Sequence, residues 1–308
     1  MRREIDFVKC NPTQNMTILV KTDHPEEEHK PIASKIMAYD NVYAEQVGFI
    51  TKSGRREAAA SLQMAGGEFC GNACMALAVY IASMEDGRRL DWKEIVLEAS
   101  GTDHLVRCQV RRSADDYQCR ISMPVPNKIE QRAIRYEGLD LDLAIVRYPD
   151  FIHIVLEVEQ FADSARDTAQ SLAKLLGVTL GSNVIGILLY KAGTGEMAPL
   201  IYVPPLDSLV WERGCGSGTA SVGAYLAWKH GGAIAAPIRQ PGGTIHVAAQ
   251  CDNGEITRLS IEGVVGIVAE GKAYVEIQES ISCTLFHRPC ISPEETRIAA
   301  NEGEAVSP

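Results

Sequence analysis

Two short segments, 70-CGNACMALAVYIA-82 and 215-CGSGTASVGAYLA-227, share one pattern. Each opens Cys-Gly-polar, places an apolar residue eighth and Tyr eleventh, and closes on an aliphatic residue and Ala. Each cysteine follows a glycine-bearing turn (66-GGEFC-70, 212-ERGC-215) and leads into a run that is apolar on all sides, the pattern of a buried helix. A cysteine at such a helix start meets unpaired backbone N–H groups and the positive end of the macrodipole. That end is worth roughly 0.3–1 kcal/mol, and up to about 2 where partly buried, in favour of thiolate. The glycine after each cysteine lets the backbone approach a bound group, and the free N–H groups can hold a carboxylate. Two such ends facing each other would flank an anion-binding cleft with two thiols, which is equipment for moving a proton between the faces of an α-carbon. One thiolate removes the α-proton of an amino acid, the opposite thiol supplies a proton to the other face, and the helix-end N–H groups stabilise the charge growing on the α-carboxylate. One thiol must be ionised while the other is protonated, so the pair titrates together. A lone cysteine at a buried helix start is ordinarily a small packed hydrophobe. Recurrence in two equivalent places separates Cys70 and Cys215 from that reading, whereas Cys74, one turn inside its helix, is expected in the core.

Positioning these segments requires a frame of many strands and few helices. Apolar runs between turn signals predict strands over 17–20, 46–50, 95–99, 105–111, 118–123, 152–158, 184–190, 200–203, 244–249, 257–263 and 273–277. Helices are expected near 25–39, 73–85, 161–176 and 218–230. The chain also repeats itself: the cysteine segments lie 145 residues apart (70 to 215), and 46-QVGFI-50 and 184-VIGILL-189 are related by 138 residues. The same 138 relates Asn15 before TILV to His153 before IVLEV. Two similar halves follow, with a boundary near 123-MPVPNKIE-130, where two prolines interrupt the strand pattern.

The 308-residue chain is 46% hydrophobic, enough for a large core, and its net charge of −10 argues against nucleic acid or an anionic membrane as partner. A small molecule is the better expectation. Residues 1–16 carry basic side chains with no apolar stretch behind them, and nowhere do 18 apolar residues run together. With nine cysteines in no framework spacing, this predicts a cytoplasmic protein with reduced thiols. No Cys-x2-Cys pair exists, so no metal is expected.

EFCGNA, ERGCGSGTAS and 240-QPGGTI-245, in this order and spacing, resemble the cofactor-independent two-cysteine racemases and epimerases typified by diaminopimelate epimerase. The resemblance covers about residues 5–278. Within that family, 10-CNPTQNMTILV-20, 45-EQVGFI-50 and 199-PLIYVPPLDSLVWERGCGSGTAS-221 are most similar to the branch that racemises histidine for metallophore synthesis. The resemblance implies an α/β (α+β) fold of two pseudo-symmetric domains, each a curved mixed sheet wrapped around a central helix, with the active site in the cleft between them. It places residues 1–124 with 263–278 in one half and 125–262 in the other, leaves 279–308 as a tail, and implies a homodimer that needs neither pyridoxal phosphate nor metal. By position, Cys70 and Cys215 would be the catalytic thiols. Gly71, Asn72, Gly216 and Ser217 would hold the α-carboxylate, Glu212 the α-ammonium, and Asn15, Glu45, Gln46 and His153 would line the cleft.

Departures from the epimerase pattern bear on the substrate. The stretch 61-SLQMAGGEFC-70 lacks an asparagine that helps hold the distal end of diaminopimelate, and in 183-NVIG-186 Asn183 is one place out of register. Each buried polar group left without a partner would cost about 1–3 kcal/mol, which disfavours a second substrate carboxylate and leaves histidine as the expected substrate. Arg213, shared with the epimerases, keeps diaminopimelate or another amino acid open. From another class, a non-catalytic amino-acid-binding protein on the same scaffold is the alternative, although binding alone has no need of two cysteines.

Overall fold

The computed structural model describes residues 2–85, 91–114, 116–180, 182, 184–204 and 207–277. Asn183, Cys283, Cys290 and the tail 279–308 lie outside the described residues. In chain order the elements are β1 (Arg2–Pro12), β2 (Thr17–Val20), α1 (Glu26–Ile36), β3 (Gln46–Thr51), β4 (Ala60–Met64), α2 (Gly71–Ser83), β5 (Lys93–Ala99), β6 (Val106–Arg112), β7 (Tyr117–Ser122), β8 (Lys128–Tyr136), β9 (Leu139–Arg147), β10 (Ile152–Glu157), α3 (Asp163–Leu180), β11 (Ile185–Lys191), β12 (Glu196–Val203), β13 (Ser208–Trp211), α4 (Gly216–His230), β14 (Ala233–Gln240), β15 (Gly243–Asp252) and β16 (Glu255–Glu276). Every strand expected from the apolar runs is present, and the fold is the mixed one expected, mostly strand with few helices. The two expected strands at 257–263 and 273–277 are parts of the single long β16.

The internal repeat is visible in the pairing. Strands β1 and β2 are antiparallel, β2 and β3 parallel across α1, β3 and β4 antiparallel, β4 and β5 parallel across α2, and β5, β6 and β7 antiparallel. The series β9, β10, α3, β11, β12, α4, β14, β15, β16 repeats these relations in the same order. The hairpin strand β13 is extra in the second copy and accounts for the growth of the offset from 138 to 145. One equivalence shifts. In the ladders Leu19 pairs with Gly48 and His153 with Gly186, so matching the glycines makes Leu19 the counterpart of His153, not Asn15. The cause is the longer crossover, 18 residues in α3 against 11 in α1.

Strand β16 joins the two copies. Its first part pairs with β15, its middle with β7, and Val265–Glu276 pair with β1, closing β1–β7 and β16 into a ring around α2. This enclosure explains why α2 has no polar face: Gly71–Val79 are all buried. Burial of Met75, Leu77 and Val79 contributes about 1.5–3 kcal/mol each. In the same way α4 packs against β9, β10, β11, β14, β15 and β16, with Gly223 allowing close approach: a Cβ there would lie 2.3 Å from Val247. Helices α1 and α3 cover the outer faces of their own copies over separate apolar clusters.

Candidate active site

Both cysteines occupy the residue immediately before a helix, in nearly the same extended conformation (φ −127°, ψ 107° for Cys70; φ −110°, ψ 108° for Cys215). The helices therefore start at Gly71 and Gly216, two residues before the expected positions, because an enclosing sheet removes the solvent that would fray a Gly-Asn or Gly-Ser start. The turn before Cys70 runs through Gly67 at φ +81°. It is pinned by Ser100, whose hydroxyl accepts from Met64 N–H at 3.0 Å and donates to Glu68 O at 2.9 Å. At the second helix the Gly218 N–H donates to Cys215 Sγ at 3.3 Å.

The two helix starts meet at Asn72. Its Nδ2 donates to Gly214 O at 2.9 Å, and a Cβ on Gly216 would lie 2.9 Å from its Oδ1, an atom that is buried and has no hydrogen-bond partner among the described residues. Glu212 lies near both thiols: its carboxylate raises Cys215 by charge and hydrogen bonding, and its charge raises Cys70 less strongly than burial does. Against the segment that leads into Cys215, Thr13 and Gln14 turn through φ +52° and +60°, with Gln14 N–H bonded to Asn11 Oδ1 at 2.6 Å, and deliver Asn15 into the interior. Asn15 is 1% exposed; its amide atoms meet no partner at full hydrogen-bond geometry among the described residues, but the amide reaches Glu212 closely enough to favour that carboxylate's ionised form. Backbone N–H groups of Glu45 and Gln46 both donate to Met16 O, at 2.8 and 3.1 Å, which fixes this segment beside Asn15. Glu45 Oε2 is likewise buried without a partner.

The electrostatics correct one expectation. Burial pushes the Cys70 thiol up to about 12; the Ala73 and Asn72 backbone N–H groups oppose this, while the Glu68 and Glu212 carboxylates add to it. Burial also raises Cys215 well above the ordinary thiol range, followed by Glu212, with Ser217 and the Gly218 N–H opposing. The helix ends therefore act in the expected direction, but loss of solvent outweighs a macrodipole worth at most about 2 kcal/mol, so both thiols are shifted up and not down. Burial raises Glu212 to about 7, aided by Glu45 and opposed by Cys215 and Asn15. Glu45 is raised by burial and lowered by Arg213.

Most of the residues expected at the site come together: Cys70, Gly71, Asn72, Glu212, Cys215, Gly216 and Ser217 around the helix starts, and Asn15 and Glu45 beside Glu212. Gln46 sits at the start of β3, paired with Thr17, and its side chain makes no hydrogen bond to this group among the described residues. His153 lies beneath α4, 1% exposed, with Nδ1 2.8 Å from Ser221 Oγ, which also meets the Tyr148 hydroxyl at 3.0 Å. Two participants escaped the sequence reading. Glu68 lies two residues before Cys70 inside the EFCGN segment, where an acidic residue beside a thiol was the available signal. Thr13, whose carbonyl packs against Gly214 and Gly242, gave no signal, because its contacts join parts of the chain distant in sequence.

His153 gives a stability prediction. Burial holds its pKa down to about 3 from an ordinary 6.5, opposed by the Ser217 carbonyl. Between those values the unfolded chain binds a proton that the native state does not, so stability is present above pH 6.5 and is lost as pH falls, by about 1.4 kcal/mol per unit. Urea unfolding at pH 6.5 and pH 5 should show a loss of about 2 kcal/mol from this group. The His153→Gln variant, less stable at neutral pH, should lose correspondingly less on acidification; equal losses in both proteins would refute the assignment.

Comparison with known proteins adds to this geometry. The family model described as the histidine racemase CntK N-terminal domain matches residues 4–274. A histidine racemase of Staphylococcus aureus (strain Mu50) is 32% identical over 277 residues, covering 89% of this chain and 99% of the relative. One from Fusobacterium nucleatum (strain ATCC 23726) is 30% identical over 274 residues, covering 88% and 97%. Among solved structures, a probable proline racemase from Agrobacterium radiobacter superposes with TM-score 0.65 at 12% identity, over 91% of this chain and 94% of that one. A hydroxyproline epimerase from Agrobacterium vitis superposes with TM-score 0.64 at 13% identity, over 90% and 95%. At such identities the two structures establish the fold.

Proposed function

The chain belongs to the histidine racemase family, and from that premise we propose that it interconverts L- and D-histidine by passing the α-proton between Cys70 and Cys215 without a cofactor. It is an amino-acid racemase, an isomerase. The observation that carries the thiol assignment is that both cysteines stand immediately before buried helices whose starts are joined through Asn72.

In this reading the substrate α-carboxylate lies on the N–H groups of Gly71, Asn72, Gly216 and Ser217, and its α-ammonium on Glu212. The ammonium brings a positive charge beside Glu212. It draws Glu212 into its ionised form and lowers the cost of forming one thiolate, so ionisation is coupled to binding. That thiolate takes the α-proton, negative charge spreads onto the carboxylate under the helix-end N–H groups, and the opposite thiol donates its proton to the other face. Glu45, whose buried Oε2 has no partner among the described residues, and Asn15, whose amide also reaches Glu212, are left to meet the side chain. An imidazole brings both an N–H for Glu45 and an acceptor for the Asn15 amide.

A second carboxylate fits less well. Arg213 donates from Nε to Gln14 Oε1 at 2.7 Å and offsets the charge of Glu45, so it is already engaged. We take 1–124 with 263–278 and 125–262 as the two functional halves, and the enzyme as a cytoplasmic homodimer whose D-histidine serves metallophore synthesis, as the resemblance implies. Among the described residues no helix is long and apolar enough to cross a membrane. The test is chiral chromatography of L-histidine and of diaminopimelate incubated side by side with enzyme and no added cofactor. Histidine should reach an equal D/L mixture; faster conversion of diaminopimelate would overturn the substrate assignment.

A further inference from the structure

We infer that Gln240 is a positioning residue that fixes the backbone of Cys215, an inference that rests on the two-thiol reading above. Gln240 ends β14 and is buried. The Cys215 N–H donates to its Oε1 at 2.7 Å, and its Nε2 donates to Thr219 Oγ1 at 2.8 Å. The Thr219 hydroxyl in turn donates to Cys215 O at 2.8 Å. One side chain thus holds both backbone polar groups of the cysteine, one directly and one through a hydroxyl, in a closed ring.

The consequence for the thiol is geometric. With N–H and C=O both engaged, the peptide units flanking Cys215 cannot turn without breaking buried hydrogen bonds, and Sγ stays where the Gly218 N–H reaches it. The clamp is itself anchored. In the turn after Gln240, the Gly242 N–H donates to Arg213 O at 2.7 Å and Arg213 Nη2 donates to Pro241 O at 3.4 Å. The QPGG segment therefore grips the chain on both sides of Gly214. No counterpart exists in the first copy: the start of α2 has no side-chain cap, and no side chain bonds the Cys70 N–H among the described residues. The two thiols are held unequally, and loosening the clamp should affect only the proton transfer at Cys215.

The test is steady-state kinetics on Gln240→Met, which keeps length and removes both polar atoms, with α-deuterated L- and D-histidine. We expect kcat to fall roughly ten- to a hundredfold with little change in KM. The primary isotope effects on kcat/KM should move apart, rising for the enantiomer deprotonated by Cys215 and falling for the one deprotonated by Cys70, whose reprotonation by Cys215 becomes limiting. A variant that merely lost folded protein would leave both isotope effects unmoved. Should Gln240→Met fail to fold, Thr219→Val and Thr219→Ser decide: Val should reproduce the divergence and Ser restore wild-type behaviour. Wild-type kcat and unmoved isotope effects in these variants, beside an inactive Cys215→Ser, would overturn the clamp and leave the two-thiol reading standing.

Discussion

Replacing either Cys70 or Cys215 by serine lowers kcat for histidine racemisation by about a thousandfold while the protein stays folded. Serine fills nearly the same volume, and neither thiol bridges another cysteine: all seven cysteines described are free. What serine removes is an ionisable group. A hydroxyl at a site where burial already pushes a thiol up to about 12 does not ionise, so each variant loses abstraction in one direction and delivery in the other. Both single variants should be defective with both enantiomers, and the double variant little worse than either, since the pair acts as a unit. Chiral chromatography beside a thermal melt measures this; a single serine variant racemising at the wild-type rate would contradict the mechanism.

Gly214→Ala should cost nearly as much by another route. A Cβ on Gly214 would lie 2.1 Å from the carbonyl oxygen of Thr13, a backbone atom in a turn already at φ +52°. Neither wall can yield as a flexible side chain would. Gly214 directly precedes Cys215 and its carbonyl accepts from Asn72, while Thr13 leads to Asn15, so separating the two displaces both helix starts and Asn15 together. A displacement near 1 Å at a reacting centre costs on the order of a hundredfold, and kcat/KM for histidine should fall by that much. Gly193→Ala, where a Cβ meets nothing within 4 Å, is the control and should leave kcat/KM unchanged.

The thiols were legible in the sequence because their signal is local and repeated: a cysteine, a glycine and an apolar run, twice. Strands with continuous apolar runs were legible for the same reason. Strands β1, β4, β8, β9, β13 and β14 were not read. β8 is largely exposed and polar, and β14 is built from alanines with Pro237 within it, so neither shows the apolar run of a buried strand. Thiol ionisation followed the helix ends in sign but not in outcome, because enclosure by a ring of strands is a tertiary property. The pairing of Asn15 with His153 failed because a count along the chain ignores the longer crossover through α3. The second grip on Cys215, from a residue 25 positions later, shows only once the β14–β15 turn is folded against Arg213.

The most direct measurement of the central claim is proton NMR and mass spectrometry of L-histidine turned over in D2O, sampled well before equilibrium. Two thiols on opposite faces predict D-histidine carrying deuterium at Cα from the first turnovers, while the remaining L-histidine keeps its protium. D-histidine that retained the substrate's own proton would mean that one base serves both faces, and would contradict the account.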